Sequence, residues 1–223
     1  MQQKVKRILF SRKGTAASRV GGRSVGEVYA GKAVLEGGQR KAIAIKLFKK
    51  PLTDVSAAKY QQTITDLVKA GVKIPRMMMI RLPKGTKIGS GELQNDHWAQ
   101  VSQLFGSTRK GSKLARSNLN FPTRQAKEQA VQEFTKIANA GYMPVADAIE
   151  LIKTKKGTEA IPVDIDYIAF HGKIAPIARA REIAQNILKM TNGPTKEYSE
   201  LLEVAIKTSS NEMRQWLEEE RLR

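Results

Sequence analysis

The chain has 223 residues, enough for one sizeable domain or two small lobes, and 41% of them are hydrophobic, which is ordinary for a folded protein. It has no cysteine and only two histidines, so disulfides, thiolate metal sites and multi-histidine metal clusters are excluded. Lysine and arginine outnumber aspartate and glutamate by 39 to 21, and the formal charge of +18 would attract nucleic acid, anionic lipid, acidic proteins or phosphorylated ligands.

The sequence predicts neither a cleavable signal peptide nor a membrane span. The first residues, MQQKVKRILF, are basic but lack the apolar run that a signal peptide needs, and no later run approaches the roughly 18 apolar residues of a membrane span. We therefore expect a soluble protein that is cytoplasmic where it is made and has no membrane span. Secretion into a host cell by a route without a cleavable signal stays open.

The first predicted elements are two strands and a helix. Residues 25–35 and 41–49 are rich in Val, Ile and aromatic side chains and are joined by EGGQR, which predicts a β-hairpin. Apolar residues at helical spacing then predict a helix, with Asp54 near its start and Gly71 just past its end.

Two more strands and a connector complete the first half of the chain. The segments IPRMMMIRL and HWAQVSQLF predict strands, so we expect a mostly antiparallel sheet with one inserted helix. From Gly106 to Asn120 the composition changes to Ser, Lys, Arg, Gly and Asn, which is typical of a connector. We place a boundary here, between an N-terminal β-rich lobe at 1–106 and a C-terminal helical lobe at 107–223.

The second half is predicted to be mainly helical. The segment PTRQAKEQAVQEFTKIANAG predicts an amphipathic helix that opens on Pro122 and closes on Gly141. Two short apolar segments flank the turn TKKGT, and two amphipathic helical stretches follow at 175–191 and 196–222. The predicted fold class is therefore α+β, with a small antiparallel sheet lobe that holds one helix and a mainly helical lobe.

A glycine-rich stretch, VGGRSVGEVYAGK, precedes a strand that ends in Lys46. Glycine lets backbone N–H groups approach a bound anion, because it has no side chain to hold a phosphate off and tolerates unusual torsions. A lysine on the next strand can reach the same phosphates as a point charge. The alternative is a hairpin rich in turn residues that carries a surface lysine.

These residues resemble the glycine-rich loop of protein kinases and the strand that follows it. Gly21 and Gly26 match the first and third glycine positions, Val28 matches the valine that packs on adenine, and Lys46 matches the lysine that pairs with the phosphates. The middle glycine position holds Arg23, which departs from the pattern. The resemblance implies a nucleotide-binding set that consists of Gly21, Gly22, Arg23, Ser24, Gly26, Val28 and Lys46.

The resemblance also implies an acidic residue on the following helix that would hold Lys46 by an ion pair. None stands at the expected position. Gln62 occupies the position predicted to face inward, and Asp66 lies one turn further on. We therefore expect Lys46 to be held by a hydrogen bond or by a different partner.

Three aspartates in the second half match the acidic residues that the family requires. Asp147 resembles the catalytic aspartate, which would orient a substrate hydroxyl or accept its proton. Asp166 is implied to hold Mg²⁺ against the β- and γ-phosphates, with Asp164 as a second metal ligand. The alternatives are a helix N-cap at Asp147, before AIELI, and solvation at a strand end for Asp164 and Asp166.

Two further positions depart from the usual kinase pattern. Ala146 precedes Asp147 where arginine is common, and Ile152 stands in place of the asparagine that binds a second metal ion. With its small size and the pattern VADAIELI…KKG…VDID, the chain most resembles minimal atypical kinases of bacterial effector type, over roughly residues 18–170. The resemblance implies a transferase that binds Mg-ATP and moves its γ-phosphoryl group to a hydroxyl, with a protein Ser or Thr as the leading acceptor.

Three other functions stay open from the sequence. The missing ion-pair acid, arginine and asparagine favour a catalytically inactive kinase-like binding module. The charge of +18 favours a basic RNA-binding protein or a protein that binds another acidic partner. A kinase-like fold that holds the nucleotide reversed would transfer AMP instead of phosphate.

Overall fold

The computed structural model of the chain describes residues 5–10, 19–21, 26–35, 38–88, 91–103, 121, 123–154, 157–162 and 164–222. Within these residues the fold is mixed α+β, with a six-stranded antiparallel sheet, two small β-hairpins and six α-helices, so the predicted α+β class is confirmed. The two-lobed protein-kinase-like fold that the resemblance implies stays a prediction. The boundary predicted between residues 106 and 107 lies outside the described residues.

The chain divides into two compact units. The first consists of Met1–Gln61 and Pro75–Lys110, and the second consists of Gln62–Ile74 and Gly111–Arg223. Helix α1, Asp54–Lys69, passes from the first unit into the second.

The first unit contains the large sheet. Its strands are β1 Val5–Phe10, β2 Arg19–Gly21, β3 Gly26–Leu35, β4 Arg40–Phe48, β5 Met77–Leu82, β6 Lys87–Ile88, β7 Gly91–Glu92 and β8 His97–Gln103. The strand order is β1-β3-β4-β8-β5, β2 also pairs with β3, and β6 pairs with β7 in a separate hairpin. The predicted hairpin is confirmed as β3 and β4, and the two later predicted strands are confirmed as β5 and β8.

One face of the large sheet carries the apolar core of the first unit. Side chains alternate between the two faces of a strand, so Ile43 and Ile45 of β4 share a face with Ala99 and Val101 of β8. All four are buried, and Ile88 of the β6–β7 hairpin joins the same cluster. Burial of a side chain as large as isoleucine stabilises the fold by about 1.5–3 kcal/mol.

Helix α1 has clear signals at both ends. The Thr53 hydroxyl accepts a hydrogen bond from the Ser56 N–H at 3.1 Å, which satisfies one of the free donors at the start of the helix. Gly71 follows its end with a φ of +72°, a conformation that glycine adopts without steric cost. The predicted helix, with Asp54 near its start and Gly71 just past its end, is confirmed.

The second unit is mainly helical. Its elements are α2 Arg124–Asn139, β9 Ile149–Thr154, β10 Gly157–Pro162, α3 Asp166–His171, α4 Pro176–Thr191, α5 Lys196–Thr208 and α6 Asn211–Arg221. Helices α2 and α4 confirm the predicted helices before Gly141 and over 175–191, whereas Pro122 lies outside the described residues. The apolar segments that flank TKKGT form the antiparallel hairpin β9–β10.

The predicted helical stretch at 196–222 is two helices, so its continuity was wrong. The chain leaves the helical path at Ser209, which has an extended conformation. The Asn139 side-chain amide holds this break together, because its Nδ2 donates to the Thr208 carbonyl at 2.8 Å and its Oδ1 accepts from the Ser210 N–H at 2.9 Å. The amphipathic spacing continues through the break, which is why the pattern alone did not reveal it.

Candidate functional site

Lys46 lies in β4 at the middle of the large sheet. It is opposite Val28 on β3 and Gln100 on β8, and Gln100 is opposite Met79 on β5. Directly opposed residues in antiparallel strands point to the same face, so these four side chains form one row across the sheet, on the face opposite the apolar core. We call Val28, Lys46, Gln100 and Met79 the Lys46 row.

The neighbouring row on the same face has mostly small side chains. Ala30 is opposite Ala44, Ala44 is opposite Ser102, and Ser102 is opposite Met77. All four residues are half-buried. Small side chains add little bulk to this face of the sheet beside Lys46.

The first half of helix α1 packs near the other end of this face. The Trp98 indole N–H donates to Asp54 Oδ1 at 2.8 Å, and the Phe48 and Tyr60 rings meet edge to face with their centroids 5.3 Å apart. Gln61 Oε1 accepts a hydrogen bond from the Met79 N–H at 2.9 Å. Gln61 is therefore the glutamine of the helix that faces the sheet.

The prediction that Gln62 faces inward is wrong by one residue. Gln62 is exposed, and its side-chain amide donates to Asp66 Oδ1 at 2.7 Å, one turn along the same helix. The helical spacing was correct, but the orientation of the helix depends on the aromatic contacts of Tyr60 and on the hydrogen bond of Gln61. Neither contact can be deduced from the periodicity.

Asp66 is bound within the second unit. Asp66 Oδ2 accepts a hydrogen bond from the Tyr142 hydroxyl at 2.9 Å and lies 3.4 Å from Lys173 Nζ. Burial alone would raise the pKa of Asp66, but the hydrogen bonds from Tyr142 and Gln62, together with Lys173, outweigh it and hold the pKa below its ordinary value. Asp66 therefore ties α1 to the Tyr142 and Lys173 segments.

We expect the free energy of unfolding to fall less in acid for Asp66→Asn than for the wild type. The folded-state pKa of Asp66 lies below its unfolded value, so the carboxylate stabilises the fold above about pH 4, and this contribution is lost as the pH falls through the folded pKa. Urea unfolding at pH 6 and pH 3 should show a smaller drop in the free energy of unfolding for the variant than for the wild type. Equal drops would contradict this role, and Asp54→Asn in the first unit provides the control.

The glycine-rich segment is described at its two ends. Gly21 ends β2 and is opposite Val28, which is in turn opposite Lys46. The structure therefore brings these three predicted site residues onto adjacent strands. Gly22, Arg23 and Ser24 lie outside the described residues.

Gly26 begins β3 at a position where only glycine fits. A Cβ atom built on it would lie 2.3 Å from the Leu47 carbonyl oxygen of β4, far inside van der Waals contact with a backbone atom that cannot rotate away. This residue is predicted from the sequence as the third glycine of the loop, and the structure gives it a packing role at the edge of that loop.

Gly26→Ala should destabilise the protein by about 1–3 kcal/mol, because β3 and β4 would have to separate beside Lys46. Gly91→Ala is the matched control, since the nearest atom to its new methyl group would be the Ile88 carbonyl oxygen at 3.8 Å, an ordinary contact. Urea unfolding of both variants measures the difference. A Gly26→Ala variant as stable as Gly91→Ala would contradict the close approach of the strands.

The second unit contains the three predicted aspartates. Asp147 lies in a 3₁₀ turn, Ala146–Ala148, and the residues that follow it form β9 and not a helix, so the alternative role of Asp147 as an N-cap before AIELI is wrong. The Asp164 N–H donates to the Ala148 carbonyl at 3.3 Å. The hairpin β9–β10 thus returns the chain so that the backbone of Asp164 lies beside that of the residue after Asp147.

Asp164 and Asp166 have different environments. Asp166 begins α3 and is only 3% exposed, so it is not a solvated residue at the end of a strand. Asp164 is half-buried, and its Oδ1 accepts a hydrogen bond from the Asp166 main-chain N–H at 3.3 Å. This bond orients the Asp164 carboxylate.

A metal site made by protein side chains alone is absent from the described part of the chain. No group of three or more His, Asp or Glu residues there is placed to hold an ion. Mg²⁺ in phosphate-transfer sites needs only one or two carboxylates, because phosphates and waters supply the other ligands. Asp164, with a partly exposed and oriented carboxylate, fits that smaller requirement.

The predicted site residues are thus divided between the two units. Lys46, Gly21, Gly26 and Val28 belong to the first unit, and the three aspartates belong to the second. Their convergence on one ligand stays a prediction. Gln100 was missed in the sequence analysis; the alternation in HWAQVSQLF shows only that Gln100 points away from Ala99 and Val101, and the register of β4 and β8 places it on the face of Lys46.

Comparison with known proteins identified no family. A scan against models of protein families and a search of curated proteins both found no match. No helix in the described ranges is long and apolar enough to cross a membrane. The functional assignment therefore depends on the geometry of the chain itself.

Proposed function

We propose that the protein binds Mg-ATP and transfers the γ-phosphoryl group to a hydroxyl group, with a protein serine or threonine as acceptor. The observation that carries this proposal is the register of β2, β3 and β4, which sets Gly21 against Val28 and Val28 against Lys46. A glycine-rich turn and a lysine on nearby strands can together bind the phosphates of a nucleotide.

The first unit supplies the nucleotide contacts in this proposal. The base would lie on the small side chains Ala30 and Ala44 beside Val28, where the sheet is partly exposed. The Lys46 ammonium would neutralise charge on the phosphates. Catalysis of phosphoryl transfer depends mainly on such positioning and electrostatic stabilisation, since little covalent chemistry falls to the protein.

Asp164, and not Asp166, is the residue that we assign to Mg²⁺. Mg²⁺ keeps several of its waters and so needs a carboxylate that solvent can reach. Asp164 is partly exposed, whereas Asp166 is 3% exposed and better suited to a structural role at the start of α3. When bound, the ion would neutralise negative charge on the β- and γ-phosphates.

Asp147 is assigned to the acceptor hydroxyl. The Asp164 N–H donates to the carbonyl of Ala148, the last residue of the 3₁₀ turn that contains Asp147. This hydrogen bond would hold Asp147 close to Asp164. In the reaction, the hydroxyl oxygen forms a bond to the γ-phosphorus, the bond from that phosphorus to the bridging oxygen breaks, and ADP leaves. The hydroxyl proton passes to the Asp147 carboxylate.

Intact-mass analysis after incubation with Mg-ATP and a general acceptor protein tests the proposal. A gain of one phosphate on the chain or on the acceptor, absent in Asp147→Asn, supports it. A gain of AMP would replace phosphoryl transfer with nucleotidyl transfer. Binding of Mg-ATP, seen as a rise in melting temperature, without any gain in mass would favour an inactive binding module.

A second candidate function, RNA binding, is favoured by the distribution of charge. The first unit has 20 basic and 5 acidic residues, a formal charge of +15, whereas the second has 19 and 16, a formal charge of +3. A concentration of positive charge in one unit is typical of a surface for a polyanion. RNA affinity that is retained and sequence-selective in physiological salt would support it, and affinity that falls steeply with salt for every sequence would contradict it.

A further inference from the structure

A groove of about 310 Å³ opens on the surface of the second unit, between helices α4 and α6. Sites for small molecules range from about 300 to 1,000 Å³, so this groove is large enough for one small ligand. None of the residues assigned to ATP or to the acceptor hydroxyl lines it, so the proposed function does not account for it. We call it the Trp216 groove, and its lining includes Ala184, Leu188, Tyr198, Trp216, Arg181 and Glu220.

The apolar part of the Trp216 groove combines one aromatic ring with smaller side chains. Trp216 packs against the core of the second unit but is only half-buried, so part of its ring lines the groove. Leu188 is 38% exposed, and the buried Ala184 adds little bulk beside it. Aromatic rings gain from stacked or edge-to-face contact in addition to the burial of apolar area. This part of the groove therefore favours a ligand with an aromatic ring.

Two opposite charges line the same groove. Arg181 of α4 is exposed, and its guanidinium forms no ion pair or hydrogen bond with another described residue. Glu220 of α6 is half-buried, and its Oε1 accepts a hydrogen bond from the Tyr198 hydroxyl at 3.5 Å. Burial and the Glu220 carboxylate raise the pKa of Tyr198 to about 12, so this hydroxyl stays protonated at neutral pH. The groove thus presents one cation and one anion that are not paired with each other.

We propose that the Trp216 groove binds a zwitterionic aromatic ligand, of the class of the free aromatic amino acids. The ring would pack against Trp216 and Leu188, the carboxylate would accept hydrogen bonds from Arg181, and the ammonium group would donate to Glu220. A carboxylate has about four acceptor sites on its two oxygens, so Glu220 can bind an ammonium group and keep its bond from Tyr198. A ligand with a single charge would be attracted by one of the two groove charges and repelled by the other.

Titration of the full chain with four probes tests this site. The probes are L-phenylalanine, N-acetyl-L-phenylalanine without the ammonium group, L-phenylalanine amide without the carboxylate, and L-alanine without the ring. The chain has two tryptophans, so nitrogen-15 labelling of tryptophan gives two indole N–H signals, and Trp98 in the first unit is an internal control. We expect L-phenylalanine to shift only the Trp216 signal and to bind about threefold to tenfold more tightly than the N-acetyl and amide probes. L-alanine should shift neither signal.

Two variants identify the charge contacts. Arg181→Gln should weaken the binding of L-phenylalanine to the level of the amide probe, and Glu220→Gln should weaken it to the level of the N-acetyl probe. Lys189→Gln removes a positive charge from an exposed position of α4 outside the groove lining, and it should change nothing.

Four results would overturn the proposal: no saturable shift of the Trp216 signal with L-phenylalanine, an equal shift with L-alanine, unchanged affinity in both groove variants, or an N-acetyl or amide probe that binds as tightly as L-phenylalanine. The last result would indicate the terminus of a peptide as the ligand. None of these results bears on phosphoryl transfer, which uses other residues.

Discussion

Asp164→Asn should lower phosphoryl transfer by at least about 100-fold and leave the fold intact, as expected when a group that stabilises transition-state charge is removed. The change keeps the shape of the side chain and the Oδ1 that accepts the Asp166 N–H, so the local hydrogen bond survives. It removes the negative charge that Mg²⁺ requires. Transfer of labelled phosphate from ATP measures the loss, and the melting temperature checks the fold.

Asp166→Asn is the matched control for this prediction. The same chemical change is made two residues away, at a carboxylate that is almost fully buried, and the main-chain N–H that binds Asp164 is kept. We expect Asp166→Asn to lower phosphoryl transfer less than Asp164→Asn does. If one of the two variants changes the melting temperature, it should be Asp166→Asn. If Asp166→Asn abolished transfer while Asp164→Asn preserved it, the assignment of the two aspartates would have to be exchanged.

Lys46→Met should lower kcat/KM for Mg-ATP by about 100-fold, because it removes the positive charge that the proposed function places at the phosphates. Methionine keeps most of the apolar stem of this half-buried side chain, so the variant should keep most of its apolar burial. Calorimetric titration with Mg-ATP and steady-state kinetics together separate lost binding from lost turnover.

A second lysine on the same face provides the control for nonspecific charge. Lys32 of β3 lies one row beyond Ala30 and two rows beyond Val28 on that face, is exposed, and is opposite Ala42. Lys32→Met removes the same charge from the same unit but not from the Lys46 row. Equal losses from Lys32→Met and Lys46→Met would show that the nucleotide responds only to the overall positive charge of +15 in the first unit.

Several elements could be predicted because their signals are local. The β3–β4 hairpin has strand-forming residues on both sides of a glycine-containing turn, and α1 has Thr53 at its start and Gly71 after its end. Such signals act over a few residues, so they survive in any tertiary context. The elements that were predicted incorrectly depend on contacts between distant residues.

The break between α5 and α6 and the orientation of α1 are two such cases. The break depends on Asn139, about 70 residues earlier in the chain, as its hydrogen bonds to Thr208 and Ser210 show. The residue of α1 that faces the sheet is Gln61, because its Oε1 accepts a hydrogen bond from the Met79 N–H of strand β5. The spacing of apolar residues within a helix contains no information about either of these contacts.

The candidate site was only partly predictable for the same reason. Lys46, Gly26 and Asp147 could be selected because they match short sequence patterns. The position of Gln100 beside Lys46 depends on the register of β4 and β8, which are separated by α1 and β5 to β7. A shift of one residue in that register would turn Gln100 to the other face.

Affinity labelling with an acyl-phosphate derivative of ATP tests the central claim, that Lys46 and Asp164 act on one Mg-triphosphate, most directly. This reagent transfers its acyl group to a lysine that contacts the phosphates, and peptide mass spectrometry identifies the lysine. We predict that Lys46 is labelled, that excess Mg-ATP prevents the labelling, and that Asp164→Asn weakens it. Labelling confined to other lysines, or labelling of Lys46 that neither Mg-ATP nor Asp164→Asn changes, would contradict the account.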